Sequence, residues 1–154
     1  MATIRLHQTT TATPEQFLAG LADFGPGRSK IFPNSGDGYL KVHDQGPGQA
    51  DVTEGSNGIW ERLHYDWSDP RRITMTTTDS NAWGGRSAHT YTLTPRPDGT
   101  TEVDAVVVRE GKNLKGRLLE IGVRILGKRF LGQALARTAK AIEARNYQTT
   151  AGNS

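Results

Sequence analysis

The sequence contains no cysteine. That excludes disulfides, thiolate metal sites and a cysteine nucleophile. Histidine is scarce: His7, His43, His64 and His89 are scattered, without the spacing a metal site needs. No run approaches the ~20 apolar residues of a membrane-spanning helix, because Arg117, Glu120, Arg124 and Lys128 interrupt the most apolar region. The opening residues lack the apolar core of a signal peptide, so a cytoplasmic protein is expected. The net charge is only +3, and basic residues do not interleave with aromatics, which argues against nucleic acid as a partner. The Gly-Asp-Gly and Gly-Pro-Gly triplets are turns rather than phosphate loops, since neither precedes a helix with a basic residue in place. No cofactor and no metal is therefore expected.

What is present is glycine and alternation. The 154 residues suit one domain, and the 18 glycines favour a sheet with many turns and bends over a helix bundle. Ile4 and Leu6 alternate with Arg5 and His7, a half-buried strand over 2–9. Thr13, Pro14 and Gln16 then supply a helix N-cap, a first-turn proline and the third position of a capping box. Gly25-Pro26-Gly27 ends that helix, and a second helical turn is expected near 28–32. Turn clusters then separate six extended runs, at 39–44, 50–54, 59–67, 71–78, 86–95 and 101–110. Connections this short imply hairpins and an antiparallel meander.

Past Gly111 the period becomes helical and holds to about Tyr147. Leu114, Leu118, Ile121 and Ile125, with Leu119, Leu126 and Phe130, form a broad apolar face that is expected to lie on the sheet. Gly116, Gly122, Gly127 and Gly132 each cost this helix about 1 kcal/mol relative to alanine. They allow two readings: a helix that bends to follow the sheet, or room beneath it for a ligand. Nine basic residues between Lys112 and Arg145 face only two acids, Glu120 and Glu143. A solvated face explains such a run, and so does weak contact with an anionic membrane surface or an acidic partner. The expected organisation is one domain over 1–147 and a disordered polar tail over 148–154. The oligomeric state is left open.

This order of elements resembles the START/Bet v 1-like (SRPBCC) superfamily, in particular its bacterial polyketide cyclase/dehydrase and lipid-transport branch. The residues that carry the resemblance are A-T-P-E-Q-F at 12–17, Y-D-W-S-D-P-R-R-I at 65–73 and the glycine-containing terminal helix. They are features of layout, not catalytic signatures. The resemblance implies an α+β helix-grip fold. A seven-stranded curved antiparallel sheet would wrap the long C-terminal helix, with one or two short helices after the first strand. It also implies a small hydrophobic ligand held between sheet and helix.

Strand alternation then nominates the pocket. Glu61, Leu63 and Tyr65 fall on the more apolar face of 59–67, with Ile59 and Trp67, and leave Trp60 outside. Ile73 and Met75 are placed inward, as are His89 and Tyr91 opposite a threonine face, and Arg109 in register with Val103, Ala105 and Val107, although Val106 and Val108 make the other face of that run apolar too and leave its side open. Trp83 belongs to a turn over 79–85 and reads either as a plug folded back or as a lid at the pocket mouth. Leu118, Ile121 and Ile125 complete the candidate ligand-binding set from the helix. Each polar member has an ordinary reading: Glu61 and Arg109 as an ion pair, His89 as a core or rim histidine, the tyrosines as packing aromatics. The leading functional reading is binding or transport of a lipid or aromatic polyketide-like molecule. One alternative is a cyclase/dehydratase-like enzyme with His89 or Glu61 as general base and Tyr91 or Arg109 stabilising an enolate. A second is a module that binds a partner or membrane surface through the basic helix.

Overall fold

The computed structural model describes residues 1–152, with side chains to Arg145. Its strands are β1 (Ala2–Thr10), β2 (Lys41–Gln45), β3 (Gln49–Ser56), β4 (Ile59–Asp69), β5 (Arg72–Ser80), β6 (Ala88–Pro95) and β7 (Thr101–Arg109). The helices are α1 (Pro14–Leu21), α2 (Arg28–Ile31) and α3 (Leu114–Gly152). The seven strands form one antiparallel sheet in the order β1-β7-β6-β5-β4-β3-β2. Thus β2 to β7 are a meander, and β1 returns to pair with the last strand.

Local chemistry accounts for the turns and caps. Asn57 and Gly58 take left-handed φ angles of 54° and 82°, as a tight β3–β4 hairpin requires. At α1 the Thr13 hydroxyl accepts from the Gln16 N–H, and the Gln16 side chain accepts from the Thr13 N–H, the capping box expected from the sequence. Backbone helix continues beyond the expected end near Tyr147, because no proline or glycine intervenes before Gly152. The tail expected over 148–154 falls where no side chain is described, and 153–154 lie outside the described residues.

The helix α3 runs chiefly along β1, and its two halves differ. The C-terminal half docks firmly: Leu135, Ala139 and Ile142 join Phe17 and Leu21 of α1 and Ile73, Leu93 and Val103 of the sheet in the dry core. The N-terminal half touches the rest of the fold through glycine and leaves its large apolar side chains exposed. Leu114 is 76%, Ile121 50% and Ile125 73% exposed, which corrects the expectation that this whole apolar face lies on the sheet. The cause is the angle at which the helix docks. A β-carbon on Gly116 would sit 1.9 Å from the Ala82 carbonyl oxygen, and one on Gly127 would reach within 3.4 Å of Ile4. These glycines turn their own side of the helix to the β5–β6 connection and to β1, and leave Leu114, Ile121 and Ile125 outside, with Leu118 at the cavity mouth.

Candidate ligand cavity

A cavity of about 640 Å³ opens between α3, the inner face of the sheet and α2. The inner face sorts as alternation predicts. Val103, Ala105, Val107 and Arg109 are all buried, as are Leu63, Tyr65, Ile73 and Met75. Helix α3 contributes only uncharged groups, among them Leu118, Gly122, Leu126, Phe130 and Leu135.

The charged groups of the cavity fall into two clusters. In the first, Arg109 Nη1 donates to Glu61 Oε2 at 2.9 Å and Nη2 to Oε1 at 3.3 Å. Thr77 Oγ1 donates to the same carboxylate at 2.8 Å. Arg109 Nη2 also contacts His89 Nε2. A guanidinium can only donate, so that ring nitrogen is the acceptor and the neutral imidazole carries its proton on Nδ1. Trp83 lies against Arg109, its ring centroid 5.1 Å from the guanidinium carbon. Burial is the largest single influence on the Glu61 carboxyl and pushes it up, but the charge and hydrogen bonds of Arg109, with His89 and the Thr77 hydroxyl, together hold it below its ordinary value. His89 is pushed down to about 3 by burial and by the neighbouring Arg109 charge.

The second cluster centres on Arg28, whose side chain is 1% exposed. Its Nε donates to Glu54 Oε1 at 2.5 Å, Nη1 to the Leu21 and Asp23 carbonyls, and Nη2 to the Tyr65 hydroxyl at 3.0 Å. The guanidinium carbon also lies 4.5 Å from the Phe24 ring centroid and 4.6 Å from that of Phe32. Glu54 in turn accepts from Ser35 Oγ at 2.9 Å and from the Tyr65 hydroxyl. Burial, then the Glu54 carboxylate, pushes the Tyr65 phenol well above its ordinary range. Tyr91 belongs to neither cluster. Its hydroxyl has no hydrogen-bond partner among the described residues, and burial followed by the Glu54 charge pushes it up to about 12.

The residues nominated from the sequence divide accordingly. Glu61, Leu63, Tyr65, Met75, Trp83, His89, Tyr91, Arg109 and Leu118 all border the cavity. Ile121 and Ile125 do not; they point to solvent on the outer seam of α3. Trp60 was expected outside, yet it borders the rim beside the β3–β4 turn, together with Ile59. The inner register of Glu61, Leu63 and Tyr65 survives, and a bulge at Thr78 absorbs the shift between β4 and β5. The turn carrying Trp83 is pinned. Ser80 Oγ donates to the Trp60 carbonyl and accepts from the Ala82 and Trp83 N–H groups, and Gly84 N–H donates to the Glu110 carbonyl. Trp83 is therefore folded back onto Arg109.

Sequence reasoning missed Arg28 and Glu54. Glu54 could have been found, since it shares alternation with Ala50 and Val52 on β3, whose side chains are buried. Among the described residues, no group of three or more His, Asp or Glu side chains is arranged to hold a metal. None of the described helices is long and apolar enough to cross a membrane.

Seven antiparallel strands ordered with β1 beside β7, and a long terminal helix closing a cavity over their inner face, settle the architecture. The fold is the START-type helix grip. The chain is similar to the Zhui aromatase/cyclase from Streptomyces sp. R1128, with a TM-score of 0.72 and 13% identity over 96% of this chain and 94% of that one. A Thermus thermophilus protein, TTHA0849, gives a TM-score of 0.71 at 17% identity, covering 93% of this chain and 98% of its own. A START superfamily protein from Mycobacterium smegmatis gives 0.63 at 15% identity, covering 97% and 99%. No protein-family profile and no curated sequence matches the chain. At such identities the helix-grip likeness is one of fold, and function has to be argued from the cavity.

Proposed function

We propose that the chain binds a small hydrophobic molecule, a lipid or an aromatic polyketide-like compound, as a carrier in the cytoplasm. The observation that carries this reading is the cavity: about 640 Å³, lined mainly by apolar side chains, with a few polar groups facing inward. The cyclase/dehydratase alternative has less support. A general base works best with a pKa near the operating pH. His89, held down to about 3, is a feeble base, and its Nε2 already faces Arg109. Glu61 is tied to the same guanidinium and to Thr77. Native mass spectrometry of the purified protein, with extraction and identification of anything bound, tests the carrier reading. A bound hydrophobic molecule supports it. Consistent absence of one, with no thermal shift across a lipid and aromatic library, counts against it.

The outer seam of α3 favours a second, compatible reading, contact with an anionic membrane surface. Leu114, Leu118, Ile121 and Ile125 are exposed at helical spacing. Lys115, Arg117, Lys128 and Arg129 flank them, with no ion-pair partner among the described residues. Apolar groups between snorkelling cations suit an interfacial helix. The protein should then co-sediment with vesicles containing phosphatidylserine and not with pure phosphatidylcholine, and Ile121→Glu/Ile125→Glu should abolish this. Equal sedimentation with both vesicle types removes the electrostatic part of the reading.

A further inference from the structure

The carrier reading leaves the chemistry of the ligand open, and the inventory of charge around the cavity narrows it. Four ionised side chains border the cavity: Arg28, Glu54, Glu61 and Arg109. They pair one to one, Arg28 with Glu54 and Arg109 with Glu61, so the wall has no net charge.

Each cation is already neutralised by its own carboxylate. Arg28 spends its donors on Glu54, on two backbone carbonyls and on Tyr65, and its planar group lies against two aromatic rings. Arg109 spends its terminal nitrogens on Glu61 and His89, with Trp83 against it. A carboxylate or phosphate entering here would lose its water and meet two carboxylates whose cations are already engaged. An ammonium would meet the two guanidinium groups without a free carboxylate, because Glu54 and Glu61 are committed as well. Burying an unpaired charge is strongly unfavourable in either case.

Uncommitted hydrogen-bonding capacity does remain. The Tyr91 hydroxyl has no partner among the described residues, and neither has His89 Nδ1, which carries the imidazole proton. The two residues alternate on one face of β6, one pleat repeat apart. Both groups can donate and neither is charged. A neutral oxygen acceptor, such as a ketone, ester carbonyl or alcohol, is what such a pair accommodates.

Resting on the carrier reading, we infer that the cavity selects uncharged hydrophobic molecules bearing an oxygen acceptor. Tyr91 and His89 hold that acceptor, and the two closed ion pairs reject ionised analogues.

The test is displacement of the neutral fluorophore N-phenyl-1-naphthylamine at pH 7.5 by matched probes on two scaffolds. The naphthalene series is 2-acetylnaphthalene, 2-ethylnaphthalene, 2-naphthoate and 2-naphthylmethylammonium. The twelve-carbon series is dodecanol, dodecane, dodecanoate and dodecylammonium. On whichever scaffold binds, the neutral acceptor should bind at least ~10-fold tighter than both ions. It should also bind several-fold tighter than the hydrocarbon, an advantage that Tyr91→Phe removes. Glu61→Gln keeps the shape of the pair but frees the Arg109 charge, so it should bring the carboxylate up to the affinity of the neutral probe. An ion that binds the unaltered protein as tightly as the neutral acceptor overturns the inference while leaving the carrier reading intact. A hydrocarbon that matches the acceptor removes the role of Tyr91 and His89. If neither the fluorophore nor any probe binds, the carrier reading falls and the inference with it.

Discussion

Gly122 offers the sharpest test of the claim that α3 encloses usable space rather than a filled core. A β-carbon built there meets nothing within 4 Å, although the residue borders the cavity in the middle of a long helix. The backbone gains nothing from glycine at this position, so Gly122→Ala should stabilise the fold by about 1 kcal/mol. For a chain of this size that is a rise in Tm of roughly 2–4 °C. Gly116 is the internal control. It lies in the first turn of the same helix, but its β-carbon would sit 1.9 Å from the Ala82 carbonyl oxygen. Gly116→Ala should therefore lower Tm despite any gain in helix propensity. Gly122→Phe carries the functional half: a ring projected into open space should preserve Tm and reduce binding of the naphthalene probes. Scanning calorimetry reads the first two variants and fluorophore displacement the third. A fall in Tm for Gly122→Ala, or undiminished probe binding in Gly122→Phe, would falsify the geometry assigned to this wall.

Two further perturbations probe the buried charges. Arg28→Met leaves Glu54 with no cation in a buried site and should cost about 3–5 kcal/mol in urea unfolding. Arg28→Met/Glu54→Gln should recover part of that loss, and no recovery would mean that packing on Phe24 and Phe32, not charge, is what Arg28 supplies. His89 is held neutral in the fold down to about pH 3, against 6.5 for the free side chain. Below pH 6.5 the unfolded chain therefore binds a proton that the folded chain refuses, and stability rises with pH by up to about 1.4 kcal/mol per unit across that window. Glu61, depressed from 4.5, adds a slope of the same sign only below that value. His89→Asn should flatten the pH dependence between 4.5 and 6.5; an unchanged slope there places the imidazole in water.

The parts legible in the sequence are those that short-range rules control. Turn residues such as Asn57-Gly58 cut the meander into the observed strands, and alternation grouped Val103, Ala105, Val107 and Arg109 on one face, although Val106 and Val108 on the other left its side open. The same parity put Glu61 and Arg109 on one face, and of the two ordinary readings open for them, an ion pair or a wet sheet edge, the structure has the ion pair. The outer seam did not. The apolar arc of α3 is wider than one sheet can cover, and periodicity gives the arc without saying which side docks. The docking angle is set by Gly116 and Gly127, residues with no side chain to register in any hydrophobic pattern. Arg28 was hidden for a different reason. It lies on a four-residue helix, too short for any period, and its burial depends on aromatic rings and on a carboxylate from a distant strand.

One helix thus serves two environments, and salt should separate them. The surface of α3 is strongly basic, while every α3 residue that borders the cavity is uncharged. The charges that do border the cavity are paired and shielded from solvent ions. Screening at physiological ionic strength acts over about 8 Å and reaches exposed charges far more than buried pairs. Binding of a neutral ligand should accordingly stay flat between 50 and 500 mM NaCl, or strengthen slightly as salt favours apolar burial. Association with anionic vesicles should fall steeply over the same range. The two measurements are independent, so each can fail alone. Ligand affinity that drops with salt would place a formal charge on the ligand and contradict the neutral cavity. Vesicle binding indifferent to salt would leave the exposed leucines and isoleucines, rather than the lysines and arginines, as the source of the contact.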